Sequence, residues 1–370
     1  MITTISKDIF NLDFVNTVNN KSLFLQERHG LVDSIHKKHP EIWTLYKSMK
    51  RLDWDENELD YSSCLADFKN CPAHISDAMI KTLAWQWEAD SIASHSLSSI
   101  VSQFVTSDEL WAAWQRIGDN EVLHSFTYSE IVRNSFEDPA KVMETILAET
   151  EALRRLNVVA DVFSRTHHIS HKLALNMIDR DSNEAYDTIM LFTIALLALE
   201  RIQFMASFAI TFHIVDHNWF IPAGKAVQKI QTDELSVHVK LDKAIITNEL
   251  GLAKGRASFE RIKDDVYKVI SEVIESELAW TKYLFKDHPN LFDLNESKMR
   301  EWVFFNATDV YDFLKLENPY KRVSVNPLPY MNDWTDINNN QASAQEERVA
   351  NYLLGGIKNT TDGKKYEIDF

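Results

Sequence analysis

The chain has 370 residues, a formal net charge of −16, and only 8 glycines and 8 prolines. So acidic a chain does not offer a general nucleic-acid-binding surface, and so few helix breakers favour long helices. The two cysteines, Cys64 and Cys71, provide neither a disulfide framework nor zinc-knuckle spacing, which favours the reducing cytoplasm. The first residues lack a basic segment followed by an apolar core, so no signal peptide is expected.

Hydrophobic periodicity predicts an all-α, bundle-like fold with little or no sheet. Range 1–40 has no clear pattern, helical spacing begins near Ile42, and a turn at Trp54 leads to a further helix. The helices expected after that turn are 73–105, one from the capping signal Thr106–Glu109 to Asp138-Pro139, 140–160, 160–180, 185–215, 225–250, 256–286 and 295–314, with a loop at 218–224. A folded domain at 1–336 is therefore expected, followed by a polar, Gly-interrupted and flexible tail at 337–370.

The most apolar run, Ile189–Leu199, is too short to span a bilayer. Glu200 and Arg201 follow it directly. We therefore interpret it as a buried helix of a protein that does not enter a membrane.

Glu121, His124 and Tyr128 fall on one face of the same helix, because a helix turns by about 100° per residue. This face offers a carboxylate, an imidazole nitrogen and a phenol. Glu-x-x-His on a bundle helix is the ligand pattern of di-iron and di-manganese carboxylate proteins, which need two such motifs and two further carboxylates.

Candidates for the other ligands lie on the neighbouring helices. Asp90 lies on an apolar-rich helix, and Glu200 ends the most apolar run, where a carboxylate is costly unless it is paired or binds a metal. Glu234 and His238 supply a second carboxylate and histidine. Since 31 residues separate Asp90 from Glu121 and 34 separate Glu200 from Glu234, the set forms a pseudo-repeat of two helix pairs. Four carboxylates and two imidazoles suit iron or manganese.

Each residue also has a simpler interpretation. Asp90 could be an exposed acid, with Glu88 as a rival for its role, and Glu200 could form a surface pair with Arg201. His238 could be a packed histidine. A further group, His167, His168 and His171, has no evident partner and is interpreted as structural or exposed.

Several stretches, spread in order from about residue 42 to the end of the sequence, have a familiar combination of motifs. They are Ala89-Asp90-Ser91-Ile92, Glu121-x-x-His124-Ser125-x-x-Tyr128, Ala198-Leu199-Glu200-Arg201, Asp233-Glu234, Trp280-x-x-Tyr283-Leu284-Phe285, Asn326-Pro327-x-Pro329 and Tyr352-Leu353-x-Gly355. In these motifs the chain resembles the small (beta) subunit of class I ribonucleotide reductase.

The resemblance implies a ferritin-like helical bundle with additional helices that usually forms a homodimer. It implies that a centre of two iron ions, or of manganese, reacts with oxygen to produce a tyrosyl radical. That radical passes to a large (alpha) subunit, which reduces ribonucleotides to deoxyribonucleotides. Without its partner the chain would have no reductase activity.

The resemblance also assigns roles to individual residues. The metal ligands would be Asp90, Glu121, His124, Glu200, Glu234 and His238. Tyr128 would hold the radical, in an apolar pocket formed by Phe204, Phe208 and Ile230. Trp54, Asp233 and His124 would form the internal leg of the transfer route. Tyr352 would relay the radical to the large subunit, with Tyr366 as the next candidate, and Lys364–Phe370 would dock on that subunit.

One spacing departs from the family pattern, because Glu234 and His238 are four residues apart rather than three. Both spacings keep two ligands on one helix face. We expect a π-bulge, with an i→i+5 hydrogen bond within 231–240, because an insertion in a straight helix would rotate everything after it by about 100°.

Two other functions remain open on the sequence alone. One is a different di-metal oxidase or oxygenase, such as an acyl desaturase-like protein, and the other is a ferritin-like iron-binding protein. The relay candidates Trp54 and Tyr352 and the docking tail favour the reductase subunit over both.

Overall fold

A computed structural model describes residue 11 and residues 21–27, 30–32 and 34–336. In this part of the chain the expected all-α fold is confirmed, since helices account for nearly all the regular structure. The predicted tail at 337–370, with Tyr352 and Tyr366, lies outside the described residues, so the division of the chain at 336 stays a prediction.

The described residues form thirteen α-helices, one short 3₁₀ turn (Glu56–Glu58), two π-helical segments and one small hairpin. The α-helices are α1 (Pro40–Met49), α2 (Ser63–Asn70), α3 (Ala73–Val101), α4 (Asp108–Ser135), α5 (Pro139–Leu147), α6 (Thr150–Ala174), α7 (Asn183–Ala198), α8 (Phe204–Asp216), α9 (Ile221–Asp233), α10 (Val239–Gly251), α11 (Ala253–Leu284), α12 (Glu296–Leu314) and α13 (Tyr330–Thr335). The first π segment (Leu199–Gln203) joins α7 to α8, and the second π segment (Glu234–His238) joins α9 to α10. The hairpin pairs β1 (Asn290–Leu291) with β2 (Leu294–Asn295).

Four helices close into a bundle. Helix α3 contacts α4 and α8, and α9 contacts the same two helices from the other side. Each of the four therefore packs against two others, which closes the bundle around a common interior. This arrangement brings the two halves of the sequence pseudo-repeat together.

The start of α4 follows from its sequence. Ser107 caps the helix by accepting a hydrogen bond from the backbone N–H of Leu110, and Asp108 and Glu109 place negative charge in its first turn. The predicted capping signal is confirmed. It sets the start of the helix that carries Glu121, His124 and Tyr128.

The longest apolar stretch is a core helix. Asn183–Asp216 is long and apolar enough to cross a membrane by composition, but 94% of its apolar window is buried inside the protein. The interpretation of 189–199 as part of a buried helix is therefore confirmed.

Two predicted boundaries were wrong. Helix α6 runs without a break from Thr150 to Ala174, so the division expected at 160 lies instead at 148–149. There the Glu149 side chain accepts a hydrogen bond from the N–H of Glu151 and caps the helix. No glycine or proline lies at this break, so no helix-breaking residue indicated it in the sequence.

The loop expected at 218–224 is also shorter than predicted. Helix α9 begins at Ile221 with Pro222 in its first turn, where the missing N–H costs nothing. Gly224 lies inside the helix and touches Val215, and a Cβ atom there would overlap that side chain. The glycine thus permits close packing of α9 on the end of α8.

Candidate metal centre

All six predicted ligands come together inside the bundle. Helix α3 supplies Asp90, α4 supplies Glu121 and His124, and the two π segments supply the other three, Glu200, Glu234 and His238. Each is between 0% and 6% exposed. The alternatives in which Asp90 is an exposed acid and Glu200 a surface group are therefore wrong, and Arg201 pairs with Asp309 rather than with Glu200.

The ligand atoms form two adjacent groups that share Glu121. In one, an atom of each of Asp90, Glu121 and His124 lies within 4.8 Å of the others. The second group meets the same limit and consists of Glu121, Glu200, Glu234 and His238.

Two carboxylates lie between the histidines. Nδ1 of His124 is 3.8 Å from Oε2 of Glu121 and 3.3 Å from Oε1 of Glu234. Nδ1 of His238 is 3.4 Å from Oε1 of Glu121 and 2.9 Å from Oε2 of Glu234. Each carboxylate thus directs one oxygen toward each histidine, which is the arrangement needed to bridge two ions.

Unpartnered polar atoms show that the cluster fits metal ions. Several buried ligand atoms have no hydrogen-bond partner among the described residues: both oxygens of Asp90, Nδ1 of His124, Oε2 of Glu200, Oε1 of Glu234 and Nε2 of His238. Leaving such groups unsatisfied is costly. Hard divalent cations bound to these oxygens and nitrogens would satisfy them, and iron or manganese suits this mixed set of donors.

Charge leads to the same conclusion. Burial raises the pKa values of Asp90 and Glu200 well above the ordinary carboxyl range, and burial also raises the pKa of Glu121. Burial opposes ionisation of Glu234, but the charge of His238 and hydrogen bonds with Glu200, His124 and His238 together outweigh it and lower the pKa of Glu234 well below its ordinary value. Burial likewise disfavours the charged form of His238, whereas Glu234 raises its pKa to about 9. Without metal, some carboxyl groups and His238 would thus carry protons, and two bound dications would displace these protons.

Both π segments carry a ligand. In the second, the backbone N–H of Val239 bonds to the carbonyl of Glu234, an i→i+5 bond that confirms the predicted bulge between Glu234 and His238. The first has the corresponding bond from Phe204 to Leu199 and carries Glu200. Sequence reasoning missed the first segment, because no second ligand follows Glu200 to reveal an altered spacing.

Tyr128 lies beside this cluster and is fully buried. It is 0% exposed, and its hydroxyl has no hydrogen-bond partner among the described residues. Burial, followed by the charge of Asp90, raises its pKa well above the usual range, so the phenol stays protonated. The predicted pocket residues Phe204, Phe208 and Ile230 are at most 2% exposed and belong to the same core.

A chain of contacts connects the cluster to the half-buried Trp54. Its indole Nε1 donates a hydrogen bond to Oδ2 of Asp233, and that oxygen lies 3.1 Å from Nε2 of His124. The structure thus places Trp54, Asp233 and His124 in the order predicted for the internal leg.

Other candidates lie apart from the centre. Glu88 is buried but belongs to neither ligand group. His167 and His171, interpreted as lacking a partner, in fact contact each other through Nε2 atoms 3.0 Å apart on the exposed side of α6. Sequence reasoning also missed Asp242, a buried carboxylate one turn beyond His238 whose pKa burial raises. Asp242 follows His238 by four residues and so lies on the same helix face, which is the sequence signal that could have identified it.

A closed helical bundle with two carboxylate-and-histidine groups at its centre defines a ferritin-like di-metal carboxylate protein. The family model for the ribonucleotide reductase small chain matches residues 33–327. The chain therefore belongs to the ribonucleotide reductase small-chain family, whose members hold two iron or manganese ions, and is a component of an oxidoreductase that works with a large subunit.

Relatives and solved structures agree with this assignment. A ribonucleoside-diphosphate reductase subunit beta of Buchnera aphidicola subsp. Baizongia pistaciae is 24% identical, over 99% of both chains. Among solved structures, the ribonucleotide reductase R2 subunit of Clostridium botulinum aligns with a TM-score of 0.75 at 16% identity, over 89% of this chain and 98% of that one. The dimanganese(II) NrdF of Streptococcus sanguinis aligns with a TM-score of 0.67 at 14% identity, over 83% of this chain and all of that chain. The expected ferritin-like fold is confirmed.

Proposed function

We propose that this chain generates and stores a tyrosyl radical on Tyr128 and supplies it to the large subunit of a ribonucleoside-diphosphate reductase. The observation that carries the proposal is that the buried phenol of Tyr128 lies beside the cluster of six candidate ligands. The carboxylate of Asp233 connects that cluster to Trp54. An oxygenase or an iron store would have no need for that connection.

The ligands in this proposal are Asp90, Glu121, His124, Glu200, Glu234 and His238, holding two iron ions or, alternatively, two manganese ions. Together with oxygen, the bound metals would supply the oxidising power for the phenol. The solved NrdF of Streptococcus sanguinis is a dimanganese(II) protein, and the donor set suits either metal.

The residues around Tyr128 protect the oxidised side chain. Oxidation of a neutral tyrosine removes one electron and one proton, and the product survives only where water and reductants are excluded. The complete burial of Tyr128 within the apolar core provides that exclusion. Trp54 and Asp233 would carry the electron inward when the radical is passed on.

The partner contacts belong to the same proposal. Tyr352 would complete the route at the large subunit, with Tyr366 as the alternative, and 364–370 would dock there. The chain would act as a homodimer in the cytoplasm, where its two free cysteines stay reduced.

The decisive experiment compares Tyr128→Phe with wild type after reconstitution with ferrous iron and oxygen. Because the hydroxyl has no partner to lose, we expect the free energy of unfolding to change by less than about 1 kcal/mol, with iron uptake unchanged and the radical resonance signal absent. Tyr311→Phe, which alters another fully buried tyrosine, should retain the signal. A full-strength tyrosyl signal in Tyr128→Phe would overturn the assignment.

A further inference from the structure

A second group of metal-ligating side chains lies near the end of α8. His213 and His217 are one helical turn apart, and Asp293 reaches them from the turn of the β1–β2 hairpin. One ligating atom of each lies within 4.8 Å of the other two. His213 is thirteen residues beyond Glu200, roughly 20 Å along the helix axis, so this group is separate from the di-metal centre.

The His217 ring is held ready to coordinate. Its Nδ1 lies 2.8 Å from the carbonyl oxygen of His213 and must donate the proton of that hydrogen bond, because a carbonyl only accepts. The neutral ring therefore has its lone pair on Nε2. Phe292 stacks on the ring with centroids 3.7 Å apart and planes within 5°. A hydrogen bond from the second nitrogen to a backbone carbonyl is the usual way in which proteins orient a metal-binding histidine.

His213 has a free nitrogen that faces Asp293. The residue is only 5% exposed, and its Nε2 has no hydrogen-bond partner among the described residues. That nitrogen lies 3.2 Å from Oδ1 of Asp293. Burial lowers the pKa of His213 to about 4, so the ring is neutral at pH 7.

Asp293 is fixed from its other side. Lys298 donates a hydrogen bond of 2.8 Å to Oδ2, which leaves Oδ1 directed at His213. That hydrogen bond also lowers the pKa of Asp293, so the carboxylate is ionised. A buried imidazole nitrogen and an ionised oxygen thus face each other without a hydrogen bond, and an ion bound to both would satisfy them.

We propose that His213, His217 and Asp293 bind a divalent transition-metal ion, for which Zn²⁺ is the best match. Two imidazoles and one carboxylate, with water in the fourth position, form a common zinc ligand set, and two histidines at i and i+4 suit one ion. Nitrogen makes up a larger share of its donors than in the di-metal centre, and it has less negative charge, which favours zinc over iron or manganese. The ion would tie the hairpin to α8, beside the α13 residue Tyr330, whose ring lies 5.2 Å from that of His213.

The test counts zinc in the full-length protein after its di-metal centre has been loaded with iron. Wild type, His217→Asn and Asp293→Asn are dialysed against Zn²⁺, and bound zinc and iron are measured. The Asp293 side chain is 70% exposed and that of His217 is partly exposed, so neither change disturbs the core. We expect wild type to hold one more zinc per chain than either variant, or to bind it about 10-fold or more tightly.

The chain offers a matched control. His171→Asn breaks the exposed His167–His171 pair on α6, which has no counterpart of Asp293 within its group. This variant should bind zinc like wild type. With Co²⁺ in place of Zn²⁺, the ligand-field absorption of a four-coordinate ion should be present in wild type and His171→Asn and weaker in His217→Asn. Equal zinc content and affinity in wild type and His217→Asn would overturn the proposal, as would a loss confined to His171→Asn.

Thermal stability gives a second readout that does not depend on reductase activity. A ligand that binds only the folded chain stabilises it, and at a given concentration a tighter-binding ligand stabilises it more. Added Zn²⁺ should therefore raise the melting temperature of the iron-loaded wild type more than that of His217→Asn. Equal shifts in the two proteins would also contradict the site.

Discussion

The indole of Trp54 donates a hydrogen bond of 2.8 Å to Oδ2 of Asp233. The same oxygen lies 3.1 Å from Nε2 of His124, and the rings of Trp54 and His124 stack with centroids 6.1 Å apart. Trp54 is half-buried, whereas the other two are at most 2% exposed. A single carboxylate oxygen thus joins the indole to a histidine of the candidate metal centre.

Removing the indole N–H should separate radical formation from radical transfer. Trp54→Phe keeps an aromatic ring but cannot donate to Asp233, so we expect normal iron uptake and a normal tyrosyl signal. Nucleotide reduction with the large subunit should fall to background, because the hydrogen-bonded route is broken. Turnover assays and resonance spectra of the same preparation test both expectations.

A suitable control for that variant is Trp43→Phe, since Trp43 is also half-buried but packs against Tyr46 on α1. It should reduce nucleotides like wild type. Normal turnover by Trp54→Phe would remove Trp54 from the route.

The sequence predicted the six residues that meet in the candidate metal centre because several of them stand out locally. Asp90 and Glu200 interrupt apolar helices, and Glu121 and His124 share a helix face, so period and polarity indicated them as candidates and the family resemblance completed the set. The π-bulge between Glu234 and His238 could also be predicted, because these two candidate ligands are four residues apart where the family pattern has three. The first π segment had no such pair of markers.

Features that depend on tertiary contacts left no local signal. The β1–β2 turn brings Asp293 to His213, 80 residues away in the chain, and no period links the two. Arg155 and Glu277 likewise look like ordinary surface charges on amphipathic helices, yet they form a buried pair. Only the packing of α6 on α11, and of the hairpin on α8, shows that these side chains meet.

That buried pair leads to a stability prediction. Nε and Nη2 of Arg155 lie 2.9 and 2.7 Å from the two carboxylate oxygens of Glu277, and Trp85 and Trp280 cover the guanidinium at 3.9 and 4.4 Å. Glu277→Ala would leave an unpaired buried charge, so we expect a loss of about 3–5 kcal/mol in the free energy of unfolding, measured by urea denaturation.

The double variant Arg155→Met/Glu277→Leu is the informative partner of that measurement. It removes both charges and refills the space with apolar atoms, so it should be more stable than Glu277→Ala alone. If the double variant were the less stable of the two, the loss in Glu277→Ala would not come from leaving Arg155 buried and unpaired.

The tail predictions concern residues outside the described part of the chain and rest on the family resemblance. Removing 364–370 should abolish binding to the large subunit in a pull-down or calorimetric assay, while iron uptake stays normal. Tyr352→Phe should instead preserve binding and abolish turnover. If Tyr352→Phe turns over normally, Tyr366→Phe is the next variant to measure.

The second π segment supports a prediction about chain length. It holds one residue more than an α-helix would need between Glu234 and His238. Deleting Ser236 should convert it to regular α-helix and restore the Glu-x-x-His spacing. The apolar residues on either side, Val227 and Ile230 before it and Ile245 after it, are 0% exposed and would keep their orientation. We therefore expect the variant to fold and to take up two metal ions, as measured by circular dichroism and metal analysis.

The matched control deletes Asp264, an exposed residue in the middle of α11, which has no π segment to absorb the change. Residues beyond that deletion must rotate by about 100° around the helix axis, which would turn Val266, Ile270 and Val273 away from the core they now fill. That variant should lose more than about 4 kcal/mol in the free energy of unfolding or fail to fold. If the Ser236 deletion were as damaging as the Asp264 deletion, the bulge would not be the feature that keeps α9 and α10 in register.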